Sequence, residues 1–241
     1  MKPFELMSFK KPRALAETAA VAWLEEVQKS ERAGKPHCVA LSGGRITQEF
    51  FSAVVEIAGL RAASFRGVHF FWADERCVPP SDPQSNYRLA CELLFKPLNI
   101  SEGQIHRIRG EDAPDTAAIS AAEELCRWAA SNQNSQPVLD LIFLGLGEDG
   151  HVASLFPGEP ATSSSSPPAF RAVANSPKPP TNRVTLDYPA IAAARKVWML
   201  ASGSGKEVAL NESLSAVGTT PFARVLHNRS DTRIFTDISV T

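Results

Sequence analysis

The sequence predicts a doubly wound α/β fold, a mostly parallel sheet with helices on both faces. Three observations predict it. Amphipathic helical segments alternate with short apolar runs along the chain. The run Val138–Leu144 is apolar at almost every position, as suits a strand covered on both faces. The Gly-rich and charged loops follow strand candidates, and ligands of such sheets bind beyond the carboxyl ends of strands.

Each element has its own signal. Ala14–Lys29 carries Leu15, Ala19, Trp23 and Val27 at i, i+4 spacing, which makes one apolar helical stripe. His37–Leu41 is a short apolar run broken by Ser42-Gly-Gly44. Thr47–Ile57 returns to helical spacing, and Val68–Phe71 is the next buried strand. A Pro-rich loop follows, then Tyr87–Phe95 as a helix. Ala117–Ala130 is a strong amphipathic helix, with Leu125 and Trp128 on its apolar side. Val138–Leu144 is closed by Gly145, Gly147 and Gly150. Ser163–Pro168 is low in complexity and reads as a surface loop. Asn182–Leu186 and Val197–Ala201 are strands around a short helix, Asp187–Ala194. Ser204 and Glu207 match a capping box ahead of a helix to Leu214, and Arg233–Thr236 is a last strand.

The 241 residues suit one domain spanning 1–241. Lys+Arg is 25 against Asp+Glu 26, too balanced for a protein that must neutralise many phosphates of a nucleic acid. A small anionic ligand needs only a few local cations. No apolar run approaches the ~20 residues that span a bilayer, and no signal-peptide pattern opens the chain. Four cysteines without paired spacing read as reduced thiols, so the expected location is cytoplasmic.

Four loops carry the chemistry. Ser42-Gly-Gly44 and Arg45 stand between a strand and a helix, where free N–H groups and the dipole favour phosphate. Asp74-Glu-Arg76 follows a buried strand and is followed by Ser85-Asn86, so Arg76 can hold an anion and Asp74 orient a partner. Gly145 to Gly158 places an acid pair and His151 after the most apolar strand. Histidine titrates near neutrality and suits a general base, with Asp149 or Asp74 able to fix its tautomer. Arg183 lies in the Asn182–Leu186 strand, and Lys206 begins a later helix, a placement unfavourable to the dipole unless an anion sits there. The five histidines lack metal-ligand spacing, and no G-x-S-x-G is present.

Together these loops resemble the 6-phosphogluconolactonase family, in order and over nearly the whole chain. The matching motifs are Ser42-Gly-Gly44, Asp74-Glu-Arg76-x-Val-Pro79, Ser85-Asn86, Gly145-x-Gly147-x-Asp149-Gly-His151-x-Ala-Ser-Leu-Phe-Pro-Gly158, Arg183-x-Thr-Leu186 and Gly203-x-x-Lys206. The resemblance implies a Rossmann-like fold and hydrolysis of a phosphosugar lactone, 6-phospho-D-glucono-1,5-lactone, without cofactor or metal. It implies His151 as the base that activates water, and Arg76 and Arg183 as holders of substrate and of charge at the carbonyl. Ser42, Gly43, Gly44 and Lys206 would hold phosphate, with Asp74 orienting and Asp149 and Asn86 supporting. Many relatives have Ser-Thr-Pro where this chain has Arg45-Ile-Thr47, so Arg45 either replaces a hydroxyl contact or points away. The expected partners are the small substrate alone, with no nucleic acid or membrane, in a monomer or small homo-oligomer. Two rivals share the fold: a glucosamine-6-phosphate deaminase and a non-catalytic sugar-phosphate sensor. Deaminases carry tyrosine where Arg76 stands and an acid where Phe156 stands.

Overall fold

The computed structural model describes residues 4–159 and 168–240. Residues 163–167 of the serine-rich stretch lie outside the described residues. Six strands form a wholly parallel sheet, in the order β1 (Phe4–Ser8), β9 (Thr232–Thr236), β8 (Val197–Ala201), β5 (Leu141–Gly145), β2 (His37–Leu41) and β3 (Val68–Trp72). β2, β8 and the first four residues of β5 are buried. That follows from their nearly unbroken apolar sequence and from cover on both faces.

α1 (Pro12–Arg32) and α2 (Arg45–Arg61) cover one face. Trp23 of α1 and Phe50 of α2 meet over Phe143 of β5, with ring centroids 4.6–5.8 Å apart. α3 (Asn86–Ala90), a π-helical turn at Cys91–Phe95 and α4 (Lys96–Leu98) complete that side, where Phe95 packs edge-on against Phe70. The predicted helix Tyr87–Phe95 is therefore broken by a π turn. On the opposite face α5 (Pro114–Trp128) lays Trp128 against His69 at 4.0 Å. Trp128 remains 41% exposed, because it caps the sheet edge rather than entering the core.

One expectation gains detail and one needs correction. The strand at Asn182–Leu186 forms, and it lies outside the main sheet. As β7 (Arg183–Leu186) it pairs antiparallel with β4 (Asp74–Arg76) and β6 (Phe170–Val173) in a second, three-stranded sheet. The capping box at Ser204–Glu207 does not form. The helix α7 (Glu207–Leu214) has Lys206 as its cap residue and starts two residues later than a Ser204 cap requires. Glu207 instead accepts a hydrogen bond from the Gly205 N–H, at 2.8 Å. α6 (Tyr188–Ala193) is capped by Asp187, and α8 (Pro221–His227) by Thr220. Among the described residues no helix is long and apolar enough to cross a membrane.

Strand order fixes where a ligand can bind. The chain runs outward from β2 to β3, then returns to the other side of β2 with β5. The loops after β2 and β5 therefore diverge and leave a crevice at the carboxyl edge.

Candidate active site

A cleft of about 350 Å³ occupies that crevice. Its walls come from the loops after β2, β5 and β8, from the small sheet and from the segment before β7. Ser42, Gly43, Gly44, Arg45, Asp74, Arg76, His151, Arg183 and Lys206 all line it. Asp149 and Asn86 stand behind the lining and contact it, as described next.

The loop after β2 is built for close approach. Ser42 Oγ donates to the Phe143 carbonyl at 2.8 Å, tying β2 to β5. A Cβ on Gly43 would sit 2.0 Å from Asn86 Oδ1, so only glycine fits. Gly44 caps α2 at φ 111°, a conformation that favours glycine. No side chain caps α2, so its first N–H groups face the cleft unclaimed by a cap. Arg45 lines the same end, and its charge is felt by Lys206.

The loop after β5 holds the histidine. His151 Nδ1 lies 2.5 Å from Asp149 Oδ1, which also accepts the His151 backbone N–H at 3.2 Å. Asp149, not Asp74, is the carboxylate on the ring. This contact assigns the proton to Nδ1 and leaves the lone pair on Nε2. Burial pushes the His151 pKa down; Asp149 opposes that and does not cancel it. Burial acts upward on Asp149, but the His151 hydrogen bond and charge outweigh it and hold that carboxyl low. The imidazole is thus neutral at neutral pH. Phe156 flanks it at 4.7 Å between ring centroids.

The small sheet brings charge. Its register sets Arg76 directly opposite Arg183. Like charges across a ladder repel, a cost that an anion between them would offset. Asp74 is buried, accepts from Ser154 Oγ at 2.7 Å and from Asn86 Nδ2 at 3.3 Å, and lies 3.9 Å from Arg183. Arg183 is itself buried, which lowers its pKa against the pull of Asp74. Each guanidinium nitrogen of Arg183 has a protein acceptor: the carbonyls of Pro180 and Lys178, and Ser154 Oγ. Arg76 Nη1 donates to the Gln84 carbonyl at 2.6 Å.

Lys206 is the cap residue of α7, and burial lowers its pKa first, then Arg45; Glu148 acts the other way. Glu148 and Lys178 also line the cleft, and neither was singled out from the sequence. Lys178 had one available signal, a cation set among prolines shortly before Arg183. Glu75 was read only as part of a charged run. It is 2% exposed and points inward, accepting from Ser85 Oγ and from the N–H groups of Arg76, Asn86 and Tyr87. Burial raises its pKa while those backbone donors pull the other way. Among the described residues no group of three or more His, Cys, Asp or Glu is placed to hold a metal ion.

The chain is similar to known proteins over most of its length. A 6-phosphogluconolactonase of Streptomyces coelicolor is 31% identical over 220 residues, 89% of this chain and 84% of that protein. One from Treponema pallidum is 34% identical over 187 residues, 78% of this chain and 74% of that protein. The solved 6-phosphogluconolactonase of Trypanosoma cruzi superposes with a TM-score of 0.84 at 27% identity, covering 96% of this chain and 93% of that one. The family model for glucosamine-6-phosphate isomerases/6-phosphogluconolactonase matches residues 10–235, and the chain belongs to that family.

Proposed function

We propose that the protein hydrolyses 6-phospho-D-glucono-1,5-lactone to 6-phospho-D-gluconate, with His151 as general base. The observation that carries this reading is a neutral imidazole, anchored by Asp149, in a cleft whose other end is cationic. The cleft volume suits a small sugar phosphate. A phosphate dianion would lie at the start of α2, held by the Gly43–Gly44 backbone, Arg45 and Lys206. That places the lactone ring toward His151.

The reaction is acyl transfer to water. His151 Nε2 takes a proton as the water oxygen bonds to the lactone carbonyl carbon. The carbonyl π pair moves onto its oxygen, and Arg76 and Arg183 put positive charge beside it. Collapse breaks the bond to the ring oxygen, which receives the proton from the imidazolium. The new carboxylic acid then ionises. General base catalysis of this kind is worth ~10²–10⁴-fold, and electrostatic stabilisation of the oxyanion ~10²–10³-fold. Phe156 presents an apolar ring at the position where the deaminase pattern carries an acid, which favours lactone hydrolysis over deamination.

The test is a coupled assay on freshly made lactone with spontaneous hydrolysis subtracted. Wild type is expected to exceed background and His151→Asn to lose that excess. Catalysis surviving in the variant would move the base elsewhere. A folded wild type with no excess would overturn the lactonase reading, and turnover-free binding of 6-phosphogluconate would then favour a sensor.

A further inference from the structure

The lactonase reading needs a donor at the developing oxyanion, and most of the Arg183 guanidinium is spent on the protein. Its Nε and Nη2 donate to main-chain carbonyls and its Nη1 to Ser154 Oγ. Its Nη2 donates to the Lys178 carbonyl at 2.9 Å. Ser176 grips the same residue from the other side: its Oγ donates to the Lys178 carbonyl at 3.0 Å and lies 3.3 Å from the Lys178 N–H. Pro177, Pro179 and Pro180 restrict the backbone around it. The result is a lysine whose main chain is fixed on a buried guanidinium while its side chain is exposed in the cleft. Among the described residues its ammonium has no hydrogen-bond or ion-pair partner.

Resting on the lactonase reading, we propose that Lys178 is a catalytic residue whose ammonium donates to the oxyanion of the tetrahedral intermediate, with Arg183 as the platform beneath it. Three observations support the placement. Lys178 lines the cleft together with His151. Its charge is close enough to lower the His151 pKa. Lys206 lines the same cleft, and the Lys178 charge acts on it too. An ammonium there neutralises the oxyanion as it forms and is regenerated unchanged when the carbonyl reforms, so no proton needs to be supplied from outside the site.

The experiment compares wild type, Lys178→Met and Lys178→Arg in the same assay, with circular dichroism as the fold control. Methionine keeps the stem and removes the charge on an exposed side chain. Lys178→Met is expected to lose kcat by roughly 10²–10³-fold, with KM changed far less, and Lys178→Arg to recover most of the loss. Removing the cation also lets the His151 pKa rise, so the acid limb of the kcat profile moves to higher pH. A rise in KM at unchanged kcat, with weaker inhibition by inorganic phosphate, would overturn the proposal and make Lys178 a phosphate ligand. An unchanged kcat and KM would overturn it outright. In either case an active wild type leaves the lactonase reading standing, whereas an inactive wild type removes both.

Discussion

The Nδ1 of His151 lies 2.5 Å from Asp149 Oδ1, and the two can meet because residue 147 is glycine. A Cβ at Gly147 would fall 1.9 Å from that nitrogen and 2.6 Å from the carboxylate oxygen. The turn is closed by the Gly147 N–H, which donates to the His151 carbonyl at 2.9 Å. Backbone and side chains thus occupy one small volume, and the imidazole has one position in it.

Gly147→Ala is therefore expected to displace the ring and cut kcat by ~10²-fold or more, the usual effect of an ångström-scale misplacement. The clash involves site side chains, so the urea unfolding midpoint should move little. Steady-state kinetics beside urea denaturation check this. A normal kcat in the variant would mean the ring position does not matter.

Asp149→Asn keeps the shape and removes the charge that orients the ring. The loss in kcat is expected to exceed ~10-fold and fall short of the ~10⁴-fold reported for a fully buried triad aspartate, because Asp149 is about a third exposed. KM for the lactone should stay near the wild-type value.

The pH dependence follows from the sign of the histidine shift. His151 must be neutral to act, and burial places its pKa below the ordinary 6.5. Activity is then retained at pH 6.5 and falls only as pH drops through the lowered value. A kcat/KM profile with an acid limb centred above 6.5 would contradict the assignment.

Lys206→Met is expected to raise KM for the phosphorylated lactone by about 10–100-fold, matching roughly 1.5–3 kcal/mol for a charge-assisted contact, with kcat largely kept. The same variant should lose its preference for phosphorylated over unphosphorylated lactone. A kcat loss at unchanged KM would place Lys206 at the reacting carbon instead.

Glu75→Ala tests structure rather than chemistry. The buried carboxylate gathers four donors and helps cap α3 through Ser85. Removing it leaves those donors without an acceptor, which is expected to cost about 3 kcal/mol, read as a lower urea midpoint. It should also loosen Asp74 and Arg76 on either side.

How much of this was legible in sequence depended on the range of the forces involved. The buried strands β2, β5 and β8 announce themselves because both faces are covered, so their apolar runs are nearly unbroken, and β3 shows a similar run interrupted by His69. Phe4–Ser8 gives no such signal: it is an edge strand, half exposed, and its pairing with β9 is set by residues more than two hundred positions away. Asp74–Arg76 reads as a charged turn, and only its pairing with β7 makes it a strand. The same blindness hid the inward turn of Glu75, since nothing local tells which of three adjacent charges is buried. Ser204 and Glu207 have the spacing of a capping box, but glycines at 203 and 205, both at positive φ, bend the chain so that the helix starts at Glu207. The glycine and histidine loops were legible because their residue types are chemically specific. Lys178 was not, because a single exposed lysine is ordinary until its backbone is seen resting on Arg183.

The strand order also has a consequence for synthesis. β1 precedes the other described strands in the chain, and its one neighbour in the sheet is β9, which follows them. Throughout translation Phe4–Ser8 must wait, its N–H and C=O groups hydrated, while the rest of the sheet assembles. Closing so long an intervening loop carries an entropic cost that local pairs avoid. A chain halted short of residue 232 would therefore leave Phe4–Ser8 with no strand to pair with, although every residue lining the cleft lies upstream of that point.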